Sequence, residues 1–196
     1  EMYKQQVKRE TIKNEFTDIE DYLASLEMKM TIFENDEAII PRMSQMSQKT
    51  NQFNLTTKRY SEGDIHNFIN DSTSEVYAFS LSDKFGDSGI TGLSIVTVNG
   101  KTETAEIDTL LMSCRVIGRN IEYTFMDYII GKIKEKNKSN LKAKYIKTQK
   151  NEQVKEFYNR CSFSLAESTD TVRNYTLDIN NYKPKQLNYI EIINDK

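Results

Sequence analysis

Residues 113–121 read Ser-Cys-Arg-Val-Ile-Gly-Arg-Asn-Ile and hold the densest chemistry in the 196-residue chain. A β-patterned run ends at Ser113. A helical pattern begins at Ile121, with Ile121, Phe125, Ile129 and Ile133 at spacing four. A strand that feeds a glycine-bearing turn and then a helix leaves backbone N–H groups unpaired at the helix start. Those donors and the positive end of the helix dipole suit a phosphate. Arg115 and Arg119 add positive charge at the same place. Cys114 stands at the head of this turn. A thiol near a helix N-terminus and beside an arginine is expected to gain thiolate character. Cys114 is therefore a candidate covalent nucleophile. It also reads as a small hydrophobe buried in a strand.

Other polar groups are weaker candidates. Asp83 or Asp87, in Asp83-Lys84-Phe85-Gly86-Asp87, could act as a general base or bind substrate hydroxyls; the same residues are equally good turn formers. Lys49, Asn51, Gln52 and Asn54 form a polar cluster with no evident structural duty. His66 is the single histidine and serves as a base only if its helix faces a cleft; a surface position is expected. Cys161 is expected to pack under the last helix. Two cysteines make no disulfide framework and cannot complete a structural zinc site, so no metal is expected. Residues 132–155 carry nine Lys against two Glu. That excess reads as a solvated face, or as a docking patch for an acidic partner or for phosphates. Globally, 27 basic and 29 acidic side chains leave a net charge of −2, which argues against a general nucleic-acid binder. No apolar run approaches the ~18 residues of a membrane span. A reduced, cytoplasmic setting is the default expectation. The chain starts at Glu1 without a signal-peptide pattern and reads as a piece of a longer protein.

The elements that must position these groups follow from periodicity. Thr17 and Glu20 suggest a capping box for a helix over residues 17–26. A second helix is expected from Pro41, with Met43, Met46 and Phe53 apolar. A short strand is expected over residues 55–60, then a helix capped by Ser61 with Asp64 at its third position. Strands over 76–81, 90–98 and 102–113, joined by tight turns including Asn99-Gly100, predict an antiparallel meander. The helix from Ile121 follows, then a strand over 141–148, a helix over 151–159, and strands near 163–165 and 175–179. The organisation expected is a helical connector at 1–53, a main domain at 54–182 and a weakly structured tail at 183–196.

This order, with Arg115-x-x-Gly118-x-Asn120 after the meander, resembles the GNAT acyltransferases. The resemblance implies an α+β fold with a mixed central sheet flanked by helices, here with an N-terminal helical extension. It implies a CoA pyrophosphate loop made by Arg115, Val116, Gly118, Arg119 and Asn120. It also implies a pantetheine arm lying where the strand before the loop splays from the next. Asn151 and Phe157-Tyr158 resemble the late-helix stretch of that fold, where in many members the tyrosine protonates the departing thiolate and the asparagine helps hold the cofactor; Tyr158 reads equally as a core ring with its hydroxyl at the rim. Asn120 departs from the pattern, which carries Gly there. Three longer stretches are similar to FkbH-like proteins: residues 48–60 (Gln-Lys-Thr-Asn-Gln-Phe-Asn-Leu-Thr-Thr-Lys-Arg-Tyr), 83–89 and 113–119. Such proteins pair a HAD-type phosphatase domain with a GNAT-like domain. This chain has no Asp-x-Asp nucleophile loop, so it resembles the second half; the phosphatase half is the one expected to need magnesium. Members load a glyceryl unit from 1,3-bisphosphoglycerate onto an acyl carrier protein. The expected function is acyl transfer to or from a carrier protein or CoA. Two alternatives stay open: a non-catalytic recognition module for a phosphatase partner, and an N-acetyltransferase of an amine or amino sugar.

Overall fold

The computed structural model describes residues 2–194. One nine-stranded mixed sheet organises them. Its elements in chain order are α1 (Met2–Lys13), α2 (Ile19–Ser25), β1 (Met28–Glu34), α3 (Ile40–Lys49), β2 (Phe53–Asn54), α4 (Glu62–Asn70), β3 (Ser74–Asp83), β4 (Gly86–Thr97), β5 (Thr104–Met112), α5 (Ile121–Glu135), β6 (Asn140–Ile146), α6 (Phe157–Arg160), β7 (Ser164–Ser168), β8 (Val172–Asp178) and β9 (Ile190–Asn194). The strand order is β7-β8-β6-β5-β4-β3-β1-β9, and β2 pairs with β5.

The meander of β3, β4 and β5 forms as its alternation and turns require. Successive side chains point to opposite faces, and both faces are covered. Tyr77, Phe79 and Leu81 of β3 join the core under α5, whose Ile121, Phe125, Ile129 and Ile133 are all buried. Val76 and Ala78 join a second core under α3 and α4 with Met43, Met46 and Ile65. Ser61 and Asp64 form the reciprocal capping box that starts α4. No helix among the described residues is long and apolar enough to cross a membrane.

Several expected elements differ. Asp18, not Thr17, caps α2, its carboxylate accepting from the N–H groups of Glu20 and Asp21. The 1–53 segment is not all helical: β1 pairs antiparallel with β3, with Met28, Met30 and Ile32 buried at alternate positions. The tail supplies β9, which runs parallel to β1. The sheet therefore draws on residues outside 54–182. The strand expected over 55–60 lies earlier, at Phe53–Asn54, because the β5 edge takes those two residues. The helix expected over 151–159 is a 3₁₀ turn, Glu152–Val154, followed by the short α6.

Gly92 shows how tightly the sheet meets α5. It pairs with Phe79, whose ring stacks edge-on against Phe125 at 4.7 Å. A Cβ at Gly92 would lie 1.8 Å from the Phe79 ring. Gly92→Ala should therefore cost about 2–3 kcal/mol, read as a lower urea midpoint with an unchanged slope.

Candidate active site

The centre of the sheet contains a gap. β5 and β6 run parallel but pair only where Thr104–Glu106 meets Asn140–Lys142. Beyond that they part, and residues 53–56 enter between them. Phe53 pairs with Met112 and Asn54 with Leu111. The Leu55 N–H donates to the Leu110 carbonyl at 3.1 Å, and the Ile146 N–H donates to the Leu55 carbonyl at 2.8 Å. The Thr56 hydroxyl donates to the Asp108 carbonyl at 3.1 Å. All four residues are buried.

Asn151 fastens this insertion and has no exposed surface. Its Nδ2 donates to the carbonyls of Asn54 and Ile146, both at 2.9 Å. Its Oδ1 accepts from the Thr148 N–H at 2.8 Å and the Tyr145 hydroxyl at 3.2 Å. The carboxamide is thus fully used inside the protein, a correction to the expected cofactor contact. Asn54 has a structural duty too: its Nδ2 donates to the Thr50 carbonyl and its Oδ1 accepts from the Thr57 N–H. Thr57 turns the chain away at φ +57°, a conformation unusual for a β-branched residue.

The loop after β5 opens with a 3₁₀ turn, Cys114–Val116. The Val116 side chain is fully buried in the core under α5. Gly118 adopts φ +85°, and a Cβ there would meet nothing within 4 Å, so only its backbone freedom is needed. Asn120 takes the left-handed conformation at φ 61°, which Asn tolerates. Its Nδ2 donates to the Tyr189 hydroxyl at 2.9 Å. Arg119 is buried, donating to Asp83 at 3.1 Å and to the Arg115 carbonyl at 3.2 Å. Asp83 also takes a bidentate pair from Arg9 at 2.7 and 2.8 Å. Arg119 is therefore committed to an internal ion pair, and Asp83 is a structural node rather than a base. Asp87 is exposed and accepts from the Gly89 N–H at 2.7 Å, which is turn chemistry. Glu122, in the first turn of α5, has one carboxylate oxygen buried without a partner. It lines a cavity of about 230 Å³ with Gly118, Asn120, Tyr123, Phe157 and Arg160.

Cys114 is exposed. It stands on the wall of a cavity of about 860 Å³ between α3 and the loop. Arg42, Lys49, Arg115 and Lys150 line this cavity, and among the described residues no carboxylate does. Asn51 and Gln52 of the polar cluster also line it. Burial and the charge of Arg115 lower the Arg42 pKa, in keeping with cations gathered in one place. Arg115 donates to the Ser113 hydroxyl and the Ser88 carbonyl. Cys114 and Arg115 also line a second cavity of about 380 Å³, whose other wall includes Tyr3, Gln5 and Arg9.

The remaining candidates lie elsewhere. Tyr158 is buried with its hydroxyl unpartnered, its ring packed on Phe163 and Tyr175 at 5.1 and 5.4 Å. Burial pushes that hydroxyl well above its ordinary pKa, and it lines neither cavity beside Cys114. His66 is on the surface near Glu37 and Asn70. Cys161 is buried, which raises its thiol pKa. The lysine-rich stretch is largely tied down: Lys132 pairs with Glu34, Lys136 with Glu75 and Lys144 with Glu106, and Lys138 donates to the Asn99 carbonyl. The sequence singled out Lys49 and the lysine-rich stretch that holds Lys150 but not Arg42, and it did not join them to Cys114, because α3, residue 150 and the loop after β5 are brought together only by the fold.

Two expected outcomes follow. Asn151→Ala orphans four partners, two of them in fully buried hydrogen bonds, and should cost roughly 3 kcal/mol in chemical denaturation. Burial holds the Glu122 carboxyl above the ordinary value of 4.5. The folded state then binds that proton more tightly than the unfolded chain, so the ionised form costs stability at pH 7. Glu122→Gln should raise the urea midpoint at pH 7, and the gain should vanish well below pH 4.5; a gain of equal size at both ends would contradict the assignment.

No family model matches the sequence, and no curated protein matches it. Solved structures do. The PaiA N-acetyltransferase from Thermoplasma acidophilum, in complex with coenzyme A, superposes with a TM-score of 0.60 at 13% identity, covering 76% of this chain and 98% of that one. The spermidine N-acetyltransferase from Vibrio cholerae, in complex with CoA and spermine, gives 0.58 at 12%, covering 78% and 97%. An N-acetyltransferase from Staphylococcus aureus gives 0.57 at 13%, covering 76% and 98%. The chain has the GNAT acetyltransferase fold.

Proposed function

We propose that this chain transfers an acyl group through Cys114, from an anionic donor to a thiol such as the phosphopantetheine of an acyl carrier protein. The observation that carries this reading is an exposed thiol on the wall of a cavity lined by Arg42, Lys49, Arg115 and Lys150. Such a lining concentrates anions and stabilises a phosphate leaving group. The similarity to FkbH-like glyceryl-loading proteins supports the same chemistry, and the GNAT fold supports acyl transfer in general.

The step with an acyl phosphate balances simply. The Cys114 sulfur attacks the acyl carbon, a C–S bond forms and the C–O bond to phosphate breaks. Phosphate leaves with the electron pair, and the thiol proton passes to solvent or to the departing phosphate. In the second half the acceptor thiolate attacks the thioester, and Cys114 departs and regains a proton. Arg42, Lys49 and Lys150 hold the donor, with Arg115 beside the reacting carbon. Tyr158 has no part in this scheme.

A second reading is favoured by the names of the structural relatives: acetylation of an amine, as in the spermidine enzyme. Among the described residues the cavity lining offers a protonated amine cations and no counter-charge. The recognition-module reading predicts binding without any adduct.

Acetyl phosphate is the probe. Intact-mass analysis should show one hydroxylamine-labile acetyl adduct on the wild type and on Cys161→Ala, and none on Cys114→Ala. Lys150→Ala should slow its formation about tenfold. An adduct of normal rate on Cys114→Ala would overturn the proposal. Wild type that stays unmodified yet acetylates amines from acetyl-CoA would establish the second reading.

A further inference from the structure

In the GNAT resemblance, a pantetheine arm lies along the edge of β5 where β5 and β6 part. That edge is not free in this chain. Phe53 and Asn54 pair with Met112 and Leu111 along it, and the Leu110 carbonyl accepts from the Leu55 N–H. The far side of the gap is used as well, since the Ile146 N–H donates to the Leu55 carbonyl. The insertion thus bonds both walls at once, as an added strand does. Withdrawing it would orphan the Leu110 and Asp108 carbonyls, the Ile146 N–H and part of the Asn151 carboxamide, all in the sheet interior. It would also expose Phe53 and Leu55, which are buried. Unpaired polar groups at such depth are strongly disfavoured.

The phosphate end of the site fits CoA no better. Arg119 is held by Asp83. Asn120 puts a side chain where the pattern has glycine, and Glu122 presents a carboxyl to the cavity at the start of α5. A carboxylate there repels a pyrophosphate. The residues present do not form the extended CoA site of the fold.

We infer that residues 53–56 are a built-in strand that occupies the place of the pantetheine arm, so that acyl donor and acceptor reach Cys114 from the cavities it lines and not along β5. The GNAT fold keeps its gap but fills it from its own chain. What remains open is the α3 side, where the large cationic cavity meets the thiol, and the smaller cavity beside α1. A carrier-borne arm would arrive on one of those sides.

Residue-resolved hydrogen exchange by NMR tests this on the chain as it stands, with and without saturating CoA or acetyl-CoA. The Leu55 and Ile146 amides should exchange more than about a hundredfold slower than in an unstructured peptide. Their protection should not fall when either compound is added, whether or not it binds elsewhere. Fast exchange at both amides in the free protein would overturn the inference. So would saturable CoA binding that releases both amides while β4 stays protected. Acylation of Cys114 by acetyl phosphate is read separately, so failure of the inference and failure of the thiol mechanism are distinguishable.

Discussion

The Asn151 carboxamide joins the two halves of the sheet by bonding to a carbonyl 97 residues away in Asn54. Its other bonds reach Ile146, Thr148 and Tyr145, so one side chain fixes the end of β6, the turn after it and the inserted strand. The consequence reaches the thiol. Residues 49–52 lead into the inserted strand and line the large cavity from one side, while Gln149 and Lys150 precede Asn151 and line it from another. The same fastening that closes the gap thus sets two walls of the cavity beside Cys114. A buried, fully satisfied polar network of this kind is rigid and intolerant of partial loss.

The third wall is held by charge. Asp83 gathers Arg9 from α1 and Arg119 from the loop, with the carboxylate side chain only 1% exposed. Two guanidinium groups around one buried carboxylate are costly to bring out of water, and the bidentate geometry offsets that cost. What the arrangement secures is position. Arg119 also donates to the Arg115 carbonyl, so the turn that presents Cys114 is tied to α1 through two ion pairs. The arginine expected to meet a phosphate, Arg119, acts instead as an anchor.

Local patterning made much of the fold legible. The meander, the Ser61 capping box and the buried face of α5 all follow from spacing and turn chemistry. β1 was legible in principle, since Met28, Met30 and Ile32 alternate with Lys29 and Thr31. Its shortness and an acidic neighbour hid it. The roles of Asn151, Asp83 and Arg119 were not legible, because each takes a partner at least 36 residues away; that of Asn54, whose side chain holds its own turn through Thr50 and Thr57, appears only once residues 53–56 are seen to enter the sheet. In sequence these four look like ligand-binding polar groups; in the fold their hydrogen bonds are spent on the protein. Cys114 is the reverse case. Its sequence context allowed a core residue, and the structure exposes it.

A crystal structure of the wild-type chain trapped with an acyl group on Cys114 would test the central claim most directly. The account predicts the acyl group in the cationic cavity on the α3 side, with residues 53–56 still paired to β5 and bonded to Asn151. An acyl chain lying between β5 and β6, with Phe53 to Thr56 displaced, would contradict it.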